Sequence, residues 1–322
     1  MATFTSYTGS KLIGCPIVYG VRAATLVEGA TFHRVRIVVR IGSTDFEFST
    51  PAENNEEVFF DISSALRAMA EKYEYTATNT NPSGGSYPYW TATVTAYDDY
   101  LLNGEEKHTE GVVSTDGGNF FVGKLTDRER IVGTSAWPAK WSRKPTSSPE
   151  IVHIGKSLIV AADFSSNPRV SETSITSQTQ ATATYYPIAA PADSYSLRFI
   201  NSLGVHESLH ITCLRQTEVN IKTDHYVISQ QETISKFSRG VVVKQNDYEQ
   251  WKMSSGPLDK AWQQYYIHEV LMAEKAWIDI DGVWLPVHII PEETVTGIDR
   301  TNKSVLTVEF TIRFDINGSP FA

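Results

Sequence analysis

At 322 residues, the chain is long enough to bury roughly 75% of its unfolded surface, and chains beyond ~250 residues tend to divide, so two domains are expected. A net charge of −9 with no long Lys/Arg cluster, only short basic patches such as Lys140 to Lys144, argues against a duplex-binding surface that works by counterion release and against an anionic-membrane binder. Two cysteines, Cys15 and Cys213, cannot make a disulfide framework, so a large core must hold the fold; whether they pair is open.

Near the start, Leu12-Ile13-Gly14-Cys15 has the form of a lipoprotein cleavage box. The basic and apolar leader that such a box needs is replaced by Thr3, Thr5, Ser6, Thr8 and Ser10, so the box is not expected to act. No run approaches the ~20 apolar residues of a membrane-spanning helix, and a soluble chain is expected.

Period-two alternation dominates from there on. In "HRVRIVVRI", His33, Val35, Ile37, Val39 and Ile41 alternate with Arg34, Arg36 and Arg40, which predicts a strand with one wet face. A short helix follows in "FFDISSALRAMAEKYEY", with Asp61 or Ser63 as cap and Leu66, Met69 and Ala70 as its apolar stripe. The loop "NPSGGSYPYW" sets Tyr87, Tyr89 and Trp90 behind Gly84-Gly85. Such rings can stack on a sugar, anchor a partner, or fold back on their own domain. "TATVTAY" reads as a further strand, and Asn103-Gly104 as a type I′ hairpin tip.

The segment "SAWPAKWSRKPTSSPE" has three prolines and two tryptophans, Trp137 and Trp141. It reads as a joint at 137–150 between an N-terminal β domain, 1–136, and a C-terminal one, 151–322. Trp137 and Trp141 join Tyr87, Tyr89 and Trp90 as candidate partner contacts. Residues 165–184, rich in Ser and Thr, are expected as a long loop or extended arm.

"YSLRF" predicts another strand, and beyond it lies "GVHESLHITC", with His206-Glu207-Ser208-Leu209-His210. This is the H-E-x-x-H string of zinc peptidases, in which a helix brings both imidazoles to one ion. On a strand, at ~3.3 Å per residue, the two lie ~13 Å apart and cannot share it. Leu209, Ile211 and Cys213 alternate with His210 and Thr212, and Asn201, Ser202 and Gly204 read as a turn. A strand carrying surface histidines is therefore expected. The positions where a metzincin needs glycine and a third histidine hold Cys213 and Gln216. The acid pairs Asp279/Asp281 and Glu292/Glu293 read as a hairpin rim and a solvated turn rather than glycosidase carboxylates. No catalytic, cofactor-binding or metal-ligating set is expected.

A stronger helix is expected in "GPLDKAWQQYYIHEVLMAEK", with Gly256 as cap, Pro257 at its first position and Leu258, Trp262, Tyr266 and Val270 along one face. "WIDIDGVWLPV" predicts a hairpin with its tip at Asp281-Gly282 and its returning strand at an edge or bulged, because Pro286 cannot donate to a ladder. The last strand spans Val305 to Ile316, with Leu306, Val308, Phe310, Ile312, Phe314 and Ile316 on its apolar face. The whole is expected to be mainly β: two antiparallel, sandwich-like domains with one short and one longer helix packed on the sheets.

Two stretches carry a family resemblance. "RIVVRIGSTDFEFSTPAENNEEVFFDISSALRAMA", with its Phe59-Phe60-Asp61-Ile62-Ser63 core, resembles the opening of a poorly characterised family of tail and particle proteins from phages and prophages of Bacteroidetes-type hosts. "YSLRFINSLGVHESLHITC" resembles the strand–turn–strand element of the same family. The later order of Pro257-Leu258 helix, Trp277 strand, Pro286-Val287 strand and final β-run is also similar, and these regions together cover about half of the chain.

The resemblance brings no catalytic residues. It implies a structural protein of the virion, in tail, baseplate or neck, assembled in the host cytoplasm through contacts with copies of itself in a ring and with other particle proteins. Neither sequence-specific nucleic acid nor a membrane span is expected. The alternative from another class is a carbohydrate-binding or adhesion module that presents Tyr87, Tyr89 and Trp90. A third reading, the zinc peptidase, would lose activity on Glu207→Gln.

Overall fold

The computed structural model describes residues 1–9, 11–72, 74–76, 87–109, 111–115, 119–132, 138, 140–161, 170–228, 239–291 and 307–314. The chain is mostly β, at 52% strand and 11% helix, with several sheets. Among the described residues no helix is long and apolar enough to cross a membrane.

The N-terminal half holds two sheets. Strands Thr3–Gly9, Ile17–Arg22 and Glu57–Asp61 form the first. In the second, Thr44–Pro51, Thr31–Ile41, Ala92–Leu102 and Glu105–His108 lie in that order, and Val112–Thr115 also pairs with Ala92–Leu102. Alternation explains the packing. Val35, Ile37, Val39 and Ile41 are buried in one core with Ile17, Tyr19 and Val21 of the other sheet. On the opposite face, Arg34 and Arg36 reach across to Asp99 at 3.3 and 2.8 Å. Helix Ser63–Ala70 closes this core with Ala65 and Leu66; its N-cap is Ile62 rather than Asp61 or Ser63, because Asp61, one residue earlier, ends the preceding strand and accepts the Ser63 N–H at 2.9 Å from there. Asn103 (φ 54°) and Gly104 (φ 80°) turn the hairpin between Leu102 and Glu105.

The C-terminal half departs from a sandwich, because its main sheet closes. Strands Ser194–Ile200, His206–Ile228, Arg239–Ser254, Glu309–Phe314, Val283–Pro291 and Ala276–Ile280 form a barrel in that order. Closure comes from Ser194–Ile200, which pairs with His206–Thr212 on one side and with Ala276–Ile278 on the other. Leu197, Phe199, Leu209, Ile211, Phe310 and Ile312 fill the interior. Leu306 and Ile316 of the expected last strand lie outside the described residues.

A helix, Lys260–Tyr265, continues as a π-turn over Tyr266–Val270 and packs Trp262, Tyr265, Tyr266 and Val270 on the barrel core. It begins three residues later than Pro257, because the Asp259 side chain accepts the Trp262 N–H at 2.9 Å and Gly256 sits at φ 69°. Asp281 (φ 51°) and Gly282 (φ 83°) form the expected tip between Ile280 and Val283. The strand that carries Pro286 is not at an edge: it lies between Ala276–Ile280 and Glu309–Phe314. Pairing with the latter begins at Val287, so the proline falls just outside the ladder that would need its missing N–H.

Two small sheets lie against the barrel. Glu150–His153 runs parallel to Tyr185–Ile188, and Ser157–Ala161 antiparallel to Val170–Ser174. In its described part, the Ser/Thr-rich stretch is therefore ordered on its own chain rather than extended as an arm. Its two large aliphatic residues, Val170 and Ile175, are both buried. Its hydroxyls bond locally, including a capping box between Ser177 and Gln180.

The halves meet in a shared core: Leu12, Phe121 and Leu125 pack with Trp141, Ile159, Leu203 and Val205. Cys15 is buried there, its Sγ accepting the Leu125 N–H at 3.2 Å, and neither cysteine is in a disulfide.

One part of the barrel outgrows it. His206–Ile228 has 23 residues and Arg239–Ser254 has 16, against 5 to 9 in the other barrel strands. Beyond Thr212 and Gln250 these two strands pair only with each other among the described residues, out to Ile228↔Arg239. The barrel thus emits a two-stranded ribbon.

Candidate functional site

The His206-Glu207-Ser208-Leu209-His210 stretch is extended, the first five residues of the long barrel strand. Alternation sends Leu209 and Ile211 into the barrel core. Glu207 shares their parity. Its carboxylate accepts from the Tyr265 hydroxyl and, at 2.9 Å, from Asn201 Nδ2.

The other face carries His206, Ser208 and His210. Sequence reasoning put these histidines at the surface, and the structure corrects that: His206 is 0% and His210 5% exposed. The small sheets, Thr76 and Tyr87 cover them. Ile159 N–H donates to Ser208 Oγ at 2.6 Å, and Lys144 Nζ donates to Ser208 O at 2.7 Å. Lys144 also pairs with the buried Glu150 at 2.7 Å.

Partners fix both imidazoles as neutral tautomers protonated at Nε2. The His153 N–H donates to His210 Nδ1 at 2.6 Å, and His210 Nε2 donates to the Ser157 carbonyl at 2.9 Å. His206 Nε2 donates to the Thr76 carbonyl at 2.9 Å, while Nδ1 accepts from the Tyr87 hydroxyl at 3.0 Å. That hydroxyl in turn accepts the His206 N–H at 3.0 Å. Each ring nitrogen is committed to the protein, so neither histidine offers a lone pair to a cation. No group of three or more His, Cys, Asp or Glu among the described residues is arranged to hold a metal ion.

Burial, chiefly, lowers His206 and His153 to about 4 and His210 to about 3. Burial also raises Glu207 and Glu150, against the pull of Lys144. The two sets act oppositely on stability. The raised carboxyls lose stability as pH climbs through their folded pKa. The depressed histidines lose it as pH falls from about 6.5 toward 4, because only the unfolded chain takes up protons there. Comparing wild type with His210→Gln isolates one group. In urea titrations at a series of pH values, the stability gap between them is expected to shrink by about 1.4 kcal/mol per pH unit below about 6.5. A gap that stays constant from pH 7 to 4 would show that His210 protonates alike in both states.

The turn before this strand ties the network together. Asn201 Oδ1 accepts the N–H groups of Leu203 and Val205, and its Nδ2 also donates to the Trp141 carbonyl at 2.9 Å. Gly204, at φ 81°, lies directly on Val122. Beside the turn, Arg143 donates to Glu269 at 2.9 Å, to Glu129 at 2.7 Å, to the Lys124 carbonyl at 3.1 Å and to the Ser202 hydroxyl. A cleft of about 580 Å³ opens here, lined by Arg67, Tyr75, Lys124, His268 and Lys275. Of its carboxylates Glu71, Glu269 and Glu274, Glu269 is already held by Arg143 and Ser202.

The aromatic candidates separate. Tyr87 (5% exposed) and Trp141 (1%) are interior, so neither presents a ring to a partner. Tyr89 is 47% exposed, with its ring tilted against Phe121 at a centroid separation of 6.1 Å. Trp90 is half-buried on the N-terminal core. Trp137 lies outside the described residues, as do Glu292 and Glu293. Asp279 Oδ1 accepts the Gly282 N–H at 2.9 Å in the hairpin tip.

Sequence reasoning missed Arg143, Lys144, Glu150 and Tyr265. Only Tyr265 carried a local signal, as a ring on an amphipathic helix. Comparison of the chain with protein-family models, with curated proteins and with solved structures gives no match.

Proposed function

We propose that this chain is a structural assembly subunit of a tailed-phage particle, placed in the tail, baseplate or neck. The ribbon carries the reading: a cross-braced body that sends out a long strand pair is suited to subunit–subunit contact. The two resembling stretches support it from the sequence side, and they coincide with the strand-to-helix passage at Asp61 and the Asn201–Val205 turn. The H-E-x-x-H string then serves packing: it binds the barrel to its outer sheets. The division into two β bodies, 1–136 and 151–322, with 137–150 between them, belongs to the same proposal. In it the clasp at 140–144 holds the joint to its own chain rather than to a neighbour.

Particles induced from a host carrying the gene and banded by density provide the test. Mass spectrometry of the banded particles is expected to find the chain at a fixed stoichiometry to the major capsid protein. Recovery only in the unassembled fraction would overturn the reading. Tyr89 keeps the glycan-binding alternative open for the same sample, because an adhesion module would bind glycan arrays and lose affinity on Tyr89→Ala.

A further inference from the structure

We infer that the ribbon beyond its bulge, strands Ile221–Ile228 and Arg239–Asn246, is an arm that lies on the body of a second copy of this chain. The inference rests on the subunit reading above and names the partner.

The first ground is backbone accounting. The ladder shifts register between Asn220 and Ile221 and then runs for eight consecutive pairs, from Ile221↔Asn246 to Ile228↔Arg239. No third strand joins it among the described residues. A lone two-stranded ribbon is marginal in water, and among the described residues no strand takes up the N–H and C=O groups along its outer edges, which a neighbouring strand can pair with.

Charge supplies the second. The two strands contain Lys222, Arg239 and Lys244 against Asp224, a net of +2, in a chain of net −9, so the remainder carries −11. A like-signed arm would be held off such a body, whereas this one is drawn to it. Every copy both donates the basic arm and offers the acidic body, which needs no other component. Such head-to-tail contacts close into rings where the rotation permits.

Sedimentation velocity on the purified full-length chain, over a range of concentrations at low and high salt, tests this. Wild type is expected to self-associate reversibly, and less at high salt, where charges beyond a Debye length are screened. Two variants follow. One replaces residues 221–247 by Asn-Gly, a turn that fits the pair Asn220↔Tyr248. The other is Lys222→Glu with Arg239→Glu and Lys244→Glu. Both should keep the cooperative unfolding of the body while self-association weakens by about a hundredfold or more.

If the shortened chain does not fold, the triple charge variant decides alone. A wild type that stays monomeric under every condition would overturn the inference. So would variants that associate like wild type, or a monomer whose arm instead binds vesicles of anionic lipid. A self-associating chain missing from banded particles sinks the particle reading and leaves the arm. A particle-borne chain that is monomeric alone sinks the arm only.

Discussion

Gly204→Ala is expected to cost the fold about 3–5 kcal/mol, lowering its denaturation midpoint sharply or preventing soluble expression. Two effects add. The residue sits at φ 81°, where an L side chain costs about 1–2 kcal/mol. An added Cβ would also stand 2.1 Å from the Val122 carbonyl oxygen and 2.6 Å from its carbon. Those are backbone atoms, so relief requires the turn to separate from the Val122–Lys124 segment. That separation would break the Lys124 N–H bond to Ser202 O, 2.8 Å, and disturb the Asn201 bonds to Leu203 and Val205. Gly155→Ala is the control. It has φ 90° with nothing within 4 Å of the added atom, so only the conformational cost of about 1–2 kcal/mol is expected. Equal losses in the two variants would show that the close approach at Val122 carries no energy.

Arg143→Ala is expected to destabilise by about 3–5 kcal/mol in the same denaturation assay, because it strands the buried Glu269 carboxylate. One guanidinium serves Glu269, Glu129, Ser202 and the Lys124 carbonyl at once, across segments that meet only in the folded chain. Its planar fork is what fits these acceptors, so Arg143→Lys should recover less than half of the loss. A change below about 1 kcal/mol would mean that the clasp behaves as a solvated surface pair.

How much of this was legible depends on distance along the chain. Period-two runs gave the strands Thr31–Ile41, Ser194–Ile200 and Glu309–Phe314, and Asn103-Gly104 and Asp281-Gly282 gave their hairpins, because those signals lie within a few residues. The extended state of His206 to His210 was readable in the same way. What covers its polar face was not. Alternation separates two faces but does not say whether the second meets water or another layer, and here it meets residues such as Tyr87 and Ser157. The same blindness left Tyr87 and Trp141 open as partner contacts and read residues 165–184 as a long loop or an extended arm, when Val170 and Ile175 are enough to pin the described part, 170–184. Closure of the barrel depended on the pairing of Phe199 with Ala276, which no local pattern specifies.

The double cover of the strand at His206 sets the order in which the molecule can be made. The hydroxyl that caps His206 Nδ1 lies 119 positions upstream and the carbonyl on Nε2 130 upstream. Native structure here waits on unions between remote stretches, which is the slow regime of folding. During synthesis the early sheets emerge first and stand ready as a mould. A fragment beginning near Ser194 would leave three polar side chains of this strand without their cover, and it should misassemble unless the upstream half is supplied in trans.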